Sequence, residues 1–362
     1  MFSAGEIPSE NELTQVFKGV SSELTVSMID IQLSITVAKN VAKTVQLMCV
    51  KCEQIVVTDG EASQVVGYPT QGQKQNVQVV NCLCKFRTGM EEDILKTIPI
   101  HETGSLAIVE ALSHVDRQVS AAISPLLSSI QDAVEAILLT LHKEDFSADE
   151  AAADATTCSL YMKELQGFLS RISEDFLKEF ICQEFLTTCL IPVAIKCVDQ
   201  FILHASLVRP LGKAGQMTLA SDCAQLELAL EPLVGGNKAS SEMLGKSYST
   251  LRAFRSLLFM QAEDVSDSPV LGQALPFSTA LHFLFTKSPP ELKSPHDSAG
   301  WSLSRYSAWL EDHPSELERL QLLQGTLESY VAGTRARQEK SYAHPYPIML
   351  KILEKGLIKQ GN

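Results

Sequence analysis

An all-α fold of packed helical bundles is predicted by three observations. Apolar residues recur at spacings of three and four through most of the chain, the signature of amphipathic helices. Runs with strand character are scarce, and Pro and Gly gather between the periodic stretches. With 45% apolar content over 362 residues the chain can bury a substantial core. Its length suggests about two modules at ~150 residues each.

Residues 1–16 are expected to form a flexible amino-terminal segment, and residues 17–143 a long-helix bundle. The first stripe runs Phe17, Val20, Leu24, Met28, Ile31, Ile35, Ala38, Ala42 and Val45, and the same count continues to Cys49 and Cys52. Gly60 to Lys74, rich in Gly, Gln, Ser and Thr, reads as an exposed connection. Val79, Leu83, Phe86 and Met90 predict a helix over 77–90. The β-branched runs Gln54–Thr58 and Val77–Val80 continue helical patterns on either side and are not assigned as strands. Ile108, Leu112, Val115, Val119, Ala122 and Leu126 make the next stripe. It resumes as Ile130, Val134, Ile137 and Leu141, so a bend or interruption is expected near Pro125. Residues 144–157, with acidic side chains and few large apolar ones, predict a linker, although Ser147 and Glu150 have capping-box spacing. No fixed repeat period is visible, which disfavours a regular solenoid.

Residues 158–362 are expected to form the carboxyl-terminal bundles. Tyr161, Leu165, Phe168 or Leu169, and Ile172 open a helix after Ser159, and Leu219, Cys223, Leu226, Leu230 and Leu233 mark another. Between them Arg209–Gly215, with Pro210 and two glycines, reads as a helix-to-helix turn. Phe277, Leu281, Leu284 and Phe285 give a short apolar face that Pro289-Pro290 ends. Trp301, Tyr306, Trp309 and Leu310 form a dense cluster in a chain that is 6% aromatic, and core packing is favoured over an exposed hot spot. Pro314 fits a first helical position, followed by the stripe Leu317, Leu320, Leu323, Leu327, Tyr330 and Val331. Arg335, Arg337 and Lys340 suit the negative end of that helix, and contact with an anionic membrane is the weaker reading. Pro345 and Pro347 precede a last amphipathic helix through Leu353 and Leu357.

The formal charge of −13 and pI near 5.1 argue against nucleic acid, because phosphate binding needs concentrated Lys and Arg. Glu6, Glu10 and Glu12 stand where a signal peptide would be positive. Apolar passages such as Cys189–Ile195 stop at charges such as Lys196 and fall short of the ~20 residues of a spanning helix. A cytosolic chain with at most peripheral membrane association is therefore expected.

Nine cysteines are an odd number, scattered as reduced thiols would be. Cys49-x-x-Cys52 with Cys82 and Cys84 invites a zinc site, yet Cys49 and Cys52 fall on the apolar seam, and Cys82 and Cys84 point to different faces of one helix. Buried structural thiols are the better reading. Gly245-Lys-Ser247 resembles the end of a phosphate-binding loop, but Ser240 stands where that loop needs Gly, and no buried strand precedes it. His282, set among Phe277, Leu281, Phe283 and Phe285, reads as a packed imidazole, and His313 before Pro314 as a turn or cap residue. Neither has a partner that would activate it. No metal-protease, serine-elbow or deaminase motif occurs. No catalytic, cofactor-binding or metal-ligating residue and no cofactor is assigned.

Several blocks carry a resemblance. Asn40–Leu47, Ser159–Phe168, His204–Gly212, Pro276–Pro295 with Trp301, Arg305–Leu320 and Tyr346–Met349 occur in order and together look like the family formed by subunit 5 of the conserved oligomeric Golgi complex. The resemblance covers nearly the whole chain. It implies an elongated rod of stacked helical bundles, as in multisubunit vesicle tethers. It also implies a non-catalytic subunit on the cytosolic face of Golgi membranes, supporting retrograde intra-Golgi vesicle tethering and, indirectly, glycosylation. The implied partners are subunit 7 chiefly, subunits 6 and 8 in the same lobe, and trafficking proteins such as SNAREs. Family members are longer at the amino end, so a short isoform, a fragment or a partial gene model is expected. Another rod-type tether, such as an exocyst-like one, is the rival reading, and an undetected enzyme is the other.

Overall fold

The computed structural model describes residues 6–149, 158–234 and 242–361. Among these the secondary structure is helical, with one isolated bridge between Leu271 and Leu275 and no strand. The chain is thus all-α. It divides into two compact units, one of residues 1–133 and 171–190, the other of residues 134–170 and 191–362.

In the first unit, helix α1 (Glu10–Ser27) begins before Phe17, within the segment expected to be flexible. Its start is set by a capping box: Glu12 N donates to Ser9 Oγ at 3.4 Å, and Ser9 N donates to Glu12 Oε2 at 2.8 Å. These bonds satisfy amides that have no partner inside the helix. The single helix expected from Phe17 onward is in fact two. The chain turns at Met28–Asp30, and α2 (Ile31–Glu53) restarts with Asp30 as N-cap, its Oδ1 accepting from Leu33 N at 2.8 Å. Met28 and Ile31, counted on the seam, are therefore exposed, and Ala38, Ala42, Val45, Cys49 and Cys52 beyond them are buried.

The segment after α2 is irregular, where a helical continuation was expected for Gln54–Thr58. Asn76 holds it: Val57 N donates to Asn76 Oδ1 at 2.9 Å, and Asn76 Nδ2 donates to Val57 O at 2.7 Å. The connection from Gly60 to Lys74 is also more internal than expected. Ala62 and Val65 are buried, and a capping box of Thr70 and Gln73 starts α3 (Gln71–Gly89) within it. A π-helical turn over Met90–Leu95 follows. Then α4 (Glu102–Leu139) runs through Pro125 in a single span, so of the bend or interruption expected there the helix shows no interruption. A Cβ added to Gly104 would stand 2.8 Å from Ala38 Cβ, so the glycine permits the close approach of α2 and α4.

In the second unit the described part of the acidic stretch has Asp145, Ser147, Ala148 and Asp149 exposed, and it is tied to the fold through its backbone and one side chain. Phe146 is buried, Gly212 N donates to Phe146 O at 2.8 Å, and Ala214 N donates to Ala148 O at 3.0 Å. Residues 150–157, Glu150 of the capping-box pair among them, lie outside the described residues. Helices α5 (Leu160–Ile172), α6 (Gln183–Ser206), α7 (Lys213–Ala229), α8 (Glu231–Val234), α9 (Gly245–Leu257) and α10 (Ala262–Val265) follow. After them come α11 (Phe277–Thr286), α12 (Pro295–Ala299), α13 (Leu303–Asp312), α14 (Glu316–Ala336) and α15 (Pro345–Gly361). Ser315 is the N-cap of α14, so Pro314 precedes the helix instead of opening it.

Helix α11 is buried on every side, packed on α14 and α15. Its carboxyl end is fixed by Arg209, whose Nη1 donates to Leu292 O at 2.9 Å and Nη2 to Ser288 O at 2.9 Å. Where α15 passes α11, a Cβ on Gly356 would lie 2.8 Å from Leu320 Cδ1 and 3.1 Å from Phe277 Cγ. Gly356→Val is expected to destabilise the second unit by about 1–3 kcal/mol through overpacking. A thermal melt in which the variant matches the parent would refute that packing.

Two helical spans, Glu102–Lys143 and Gln183–Ser206, are long and apolar enough to cross a membrane by length and composition, which the count of short apolar passages did not anticipate. Many of their apolar residues are nonetheless core residues, although Leu106 and Val109 of the first span are exposed. Ile108, Val115, Ile130 and Val134 are buried in the first span, and Val193, Ala194, Cys197, Val198 and Phe201 in the second.

Candidate functional site

The Pro276–Leu320 block builds one wall of a cleft of about 770 Å³ in the second unit. Helix α6 brings Lys196, Asp199 and Gln200 to it, α9 brings Lys246, Ser247 and Thr250, and α11 brings Ser278 and His282. Glu311, Glu316 and Arg319 add to the polar lining.

Most of these groups are engaged with one another. Gln200 Nε2 donates to Glu311 Oε1 at 2.9 Å and to Glu135 Oε2 at 3.1 Å, and Lys196 Nζ lies 3.4 Å from Glu311 Oε1. Ser278 donates from both N and Oγ to Glu316 at 2.8 Å, so the carboxylate caps the start of α11. Arg319 donates to two backbone carbonyls, His313 O at 2.9 Å and Leu310 O at 2.6 Å. Burial pushes the Asp199 carboxyl above its ordinary range, opposed by a hydrogen bond from Ser247. An arrangement of this kind fixes α6, α11, α13 and α14 to each other, and its charges are spent on structure rather than aimed at a common point.

The two histidines singled out in the sequence sit as packing residues. His282 is buried and shares a 2.7 Å hydrogen bond with the Tyr306 hydroxyl. Burial pushes its pKa down to about 3, so the imidazole is neutral near pH 7. His313 ends α13, its ring stacked 4.1 Å from Trp309 and bonded through Nδ1 to Trp309 O at 2.8 Å. The aromatic cluster forms around Leu207, Tyr306 and Leu310, with Leu203, Trp301, Leu303, Trp309 and Leu322 packed on it. Gly245 opens α9 at φ +47°, with Lys246 and Ser247 on its first turn, and Ser240 lies outside the described residues. Arg335 and Lys340 are exposed, and Arg337 is paired with Glu339 at 2.6 Å.

Three arrangements carry no motif in the sequence. Asp222 on α7 is fully buried and accepts from Ser159 Oγ at 2.6 Å, Tyr161 Oη at 2.7 Å and Ser159 N at 3.3 Å. His204 and His142 meet at 3.2 Å with their rings edge to face. Cys84 meets Cys182, not the Cys49–Cys52 pair, and no group of three or more His, Cys, Asp or Glu able to hold a metal occurs among the described residues. Periodicity places single residues on faces, and these partners lie some 60 to 100 positions apart.

The first unit displays apolar side chains at the α1–α2 turn. Val26, Met28, Ile29, Ile31 and Leu33 are all exposed, Ile29 at 89%.

No protein-family model matches the chain, and no solved structure matches it. Over 97% of its length it is 47% identical to mouse conserved oligomeric Golgi complex subunit 5. The subunit 5 proteins of Arabidopsis thaliana and Drosophila melanogaster are 30% and 29% identical to it over the same share. The chain spans 42% of the mouse and Arabidopsis proteins and 47% of the Drosophila one. Similarity that runs through both units, on an all-α framework whose polar groups bind each other, answers the sequence resemblance directly: the chain belongs to the conserved oligomeric Golgi complex subunit 5 family.

Proposed function

We propose that the chain acts as a non-catalytic, helical part of the conserved oligomeric Golgi complex, supporting retrograde intra-Golgi vesicle tethering and thereby Golgi glycosylation. The observation that carries this reading is the alignment with subunit 5 proteins over 97% of the chain. The mechanism is bridging by shape: helical bundles offer long faces to partner helices, and no bond is made or broken. The partners proposed are subunit 7 first, then subunits 6 and 8, with SNAREs as further contacts. The place of action is the cytosolic face of the Golgi membrane, reached as a peripheral protein.

The pairing of Gln200 and Lys196 with Glu311, of Ser278 with Glu316, and of Arg319 with the carbonyls of Leu310 and His313 supports a structural cleft over an active site. Purification of the tagged chain from cell extract tests the reading. Recovery of Golgi-complex subunits, subunit 7 foremost, is the expected result. Recovery of exocyst-type tether subunits in their place would refute it.

A further inference from the structure

We infer that Cys84 and Cys182 form a thiol modification site, closed to an intramolecular disulfide by a disulfide-class oxidant such as oxidised glutathione. Their Sγ atoms lie 2.7 Å apart in the first unit, within an ångström of the ~2.05 Å of a covalent bond. Cys84 sits on α3, and Cys182 immediately precedes α6, its carbonyl accepting from Leu186 N at 2.9 Å. The juxtaposition does not depend on the thiols. Asn81, one turn before Cys84, donates from Nδ2 to Glu179 O at 2.8 Å and accepts at Oδ1 from Ile181 N at 2.8 Å. This two-bond clamp carries the 179–182 segment onto α3.

Surroundings separate this pair from the other cysteines. Cys49, Cys52, Cys82, Cys197 and Cys223 are buried, and burial pushes their thiols up, Cys52, Cys197 and Cys223 to about 12. Cys158 and Cys189 are half-buried and pushed up in the same way. Cys84 and Cys182 are half-buried, open to a small oxidant, and differ from each other. Cys182 accepts the hydrogen bond and is pushed down, and Cys84 donates it and is pushed up. Thiolate character is what attacks a disulfide, so Cys182 is the entry point and Cys84 the resolving thiol.

The exchange balances. The Cys182 thiolate attacks one sulfur of oxidised glutathione, forming a mixed disulfide and expelling one glutathione thiolate, which takes up a proton. The Cys84 thiol then loses its proton and attacks the Cys182 sulfur, releasing the second glutathione. Two protein thiols are oxidised, one glutathione disulfide is reduced to two thiols, and reduced glutathione in excess reverses the sequence. The bond would staple the start of α6 to α3 and raise the thermal midpoint of the first unit.

The whole chain, treated with oxidised glutathione and then digested with trypsin, tests the inference. Cys82 shares the peptide 75–85 with Cys84, and Cys189 shares 179–196 with Cys182, so fragment ions must locate the link. The expected result is a Cys84–Cys182 disulfide reversed by reduced glutathione, with Cys84→Ser leaving glutathione on Cys182. In the untreated protein, iodoacetamide should label Cys182 at least about tenfold faster than Cys189. A link mapped to Cys82 or Cys189, or a parent chain that stops at the Cys182 mixed disulfide, would overturn it. The mapping on the parent chain needs no variant to fold.

Discussion

Asp222→Ala is expected to lower the stability of the second unit by about 3–5 kcal/mol. Asp222 is fully buried and is the common acceptor for the Ser159 hydroxyl, the Ser159 amide and the Tyr161 hydroxyl. Tyr161 is 1% exposed and Ser159 5%, so donors freed by the truncation cannot turn to water. Each such donor costs about 1–3 kcal/mol. One term offsets part of this: burial holds the Asp222 carboxyl above its ordinary 3.8, so the charge is itself uncomfortable where it lies. The donors outweigh it, because two hydroxyls and an amide lose their partner together. In a unit of roughly 200 residues a loss of this size lowers the melting temperature by about 10 °C. Asp222→Asn keeps one carbonyl acceptor and should recover part of the loss. A midpoint of Asp222→Ala within about 2 °C of the parent would show that the three donors do not depend on the carboxylate.

The Asp222 network also marks the limit of what could be read from the sequence. Helix positions were legible wherever a stripe was long. Val79, Leu83, Phe86 and Met90, and Leu320, Leu323, Leu327 and Tyr330, are all buried as their spacing requires. Boundaries were legible only where the chain marked them strongly, as at Arg209–Gly215. Between Phe17 and Cys52 the apolar count runs unbroken through Met28 and Ile31, and the signal that ends α1 is a single capping residue, Asp30. A stripe averages over many residues and is blind to one cap. Pro125 does not end α4, since a proline removes one amide bond from a helix that continues on both sides of it.

The polar interior was not legible for a different reason. Asp222 is one acid on an otherwise ordinary helix, and its donors stand some 60 residues earlier. Cys84 was weighed against Cys49, Cys52 and Cys82 because they are near in sequence, whereas the Asn81 clamp brings Cys182 to it instead. His282 was placed correctly among its phenylalanines, because burial follows from neighbours on the same helix. Its bond to Tyr306 depends on the meeting of α11 and α13, which no local pattern encodes.

Lowering the pH from 7 to 5 is expected to destabilise the second unit by about 4–6 kcal/mol through three buried histidines. Burial pushes His142 down to about 4 and His204 and His282 down to about 3, against an ordinary value of 6.5. All three are neutral in both folded and unfolded chains above pH 6.5, so they cost nothing there. Below it the unfolded chain binds protons that the folded chain refuses, and stability falls until the folded values are reached. At pH 5 each contributes about 2 kcal/mol. The sum is less than additive because His142 and His204 share one hydrogen bond. The charges facing them do not relieve the effect: His296 faces His142, and Arg319 and His296 face His282, and each disfavours a proton on its neighbour. Asp199 and Asp222, held above their ordinary 3.8 by burial, act in the opposite sense, the folded chain taking up their protons first as the pH falls. Carboxylates held low by partners, such as Asp267 beside Lys351 and Lys355, lose their contribution only below about pH 4. The decline between pH 6.5 and 5 therefore belongs to the histidines. Urea titrations at pH 7, 6 and 5 should show the midpoint for this unit falling steadily, and His282→Gln should remove about a third of the slope. A midpoint that holds level down to pH 5 would mean that these imidazoles gain protons inside the fold, and that the bond from His282 to Tyr306 does not depend on a neutral ring.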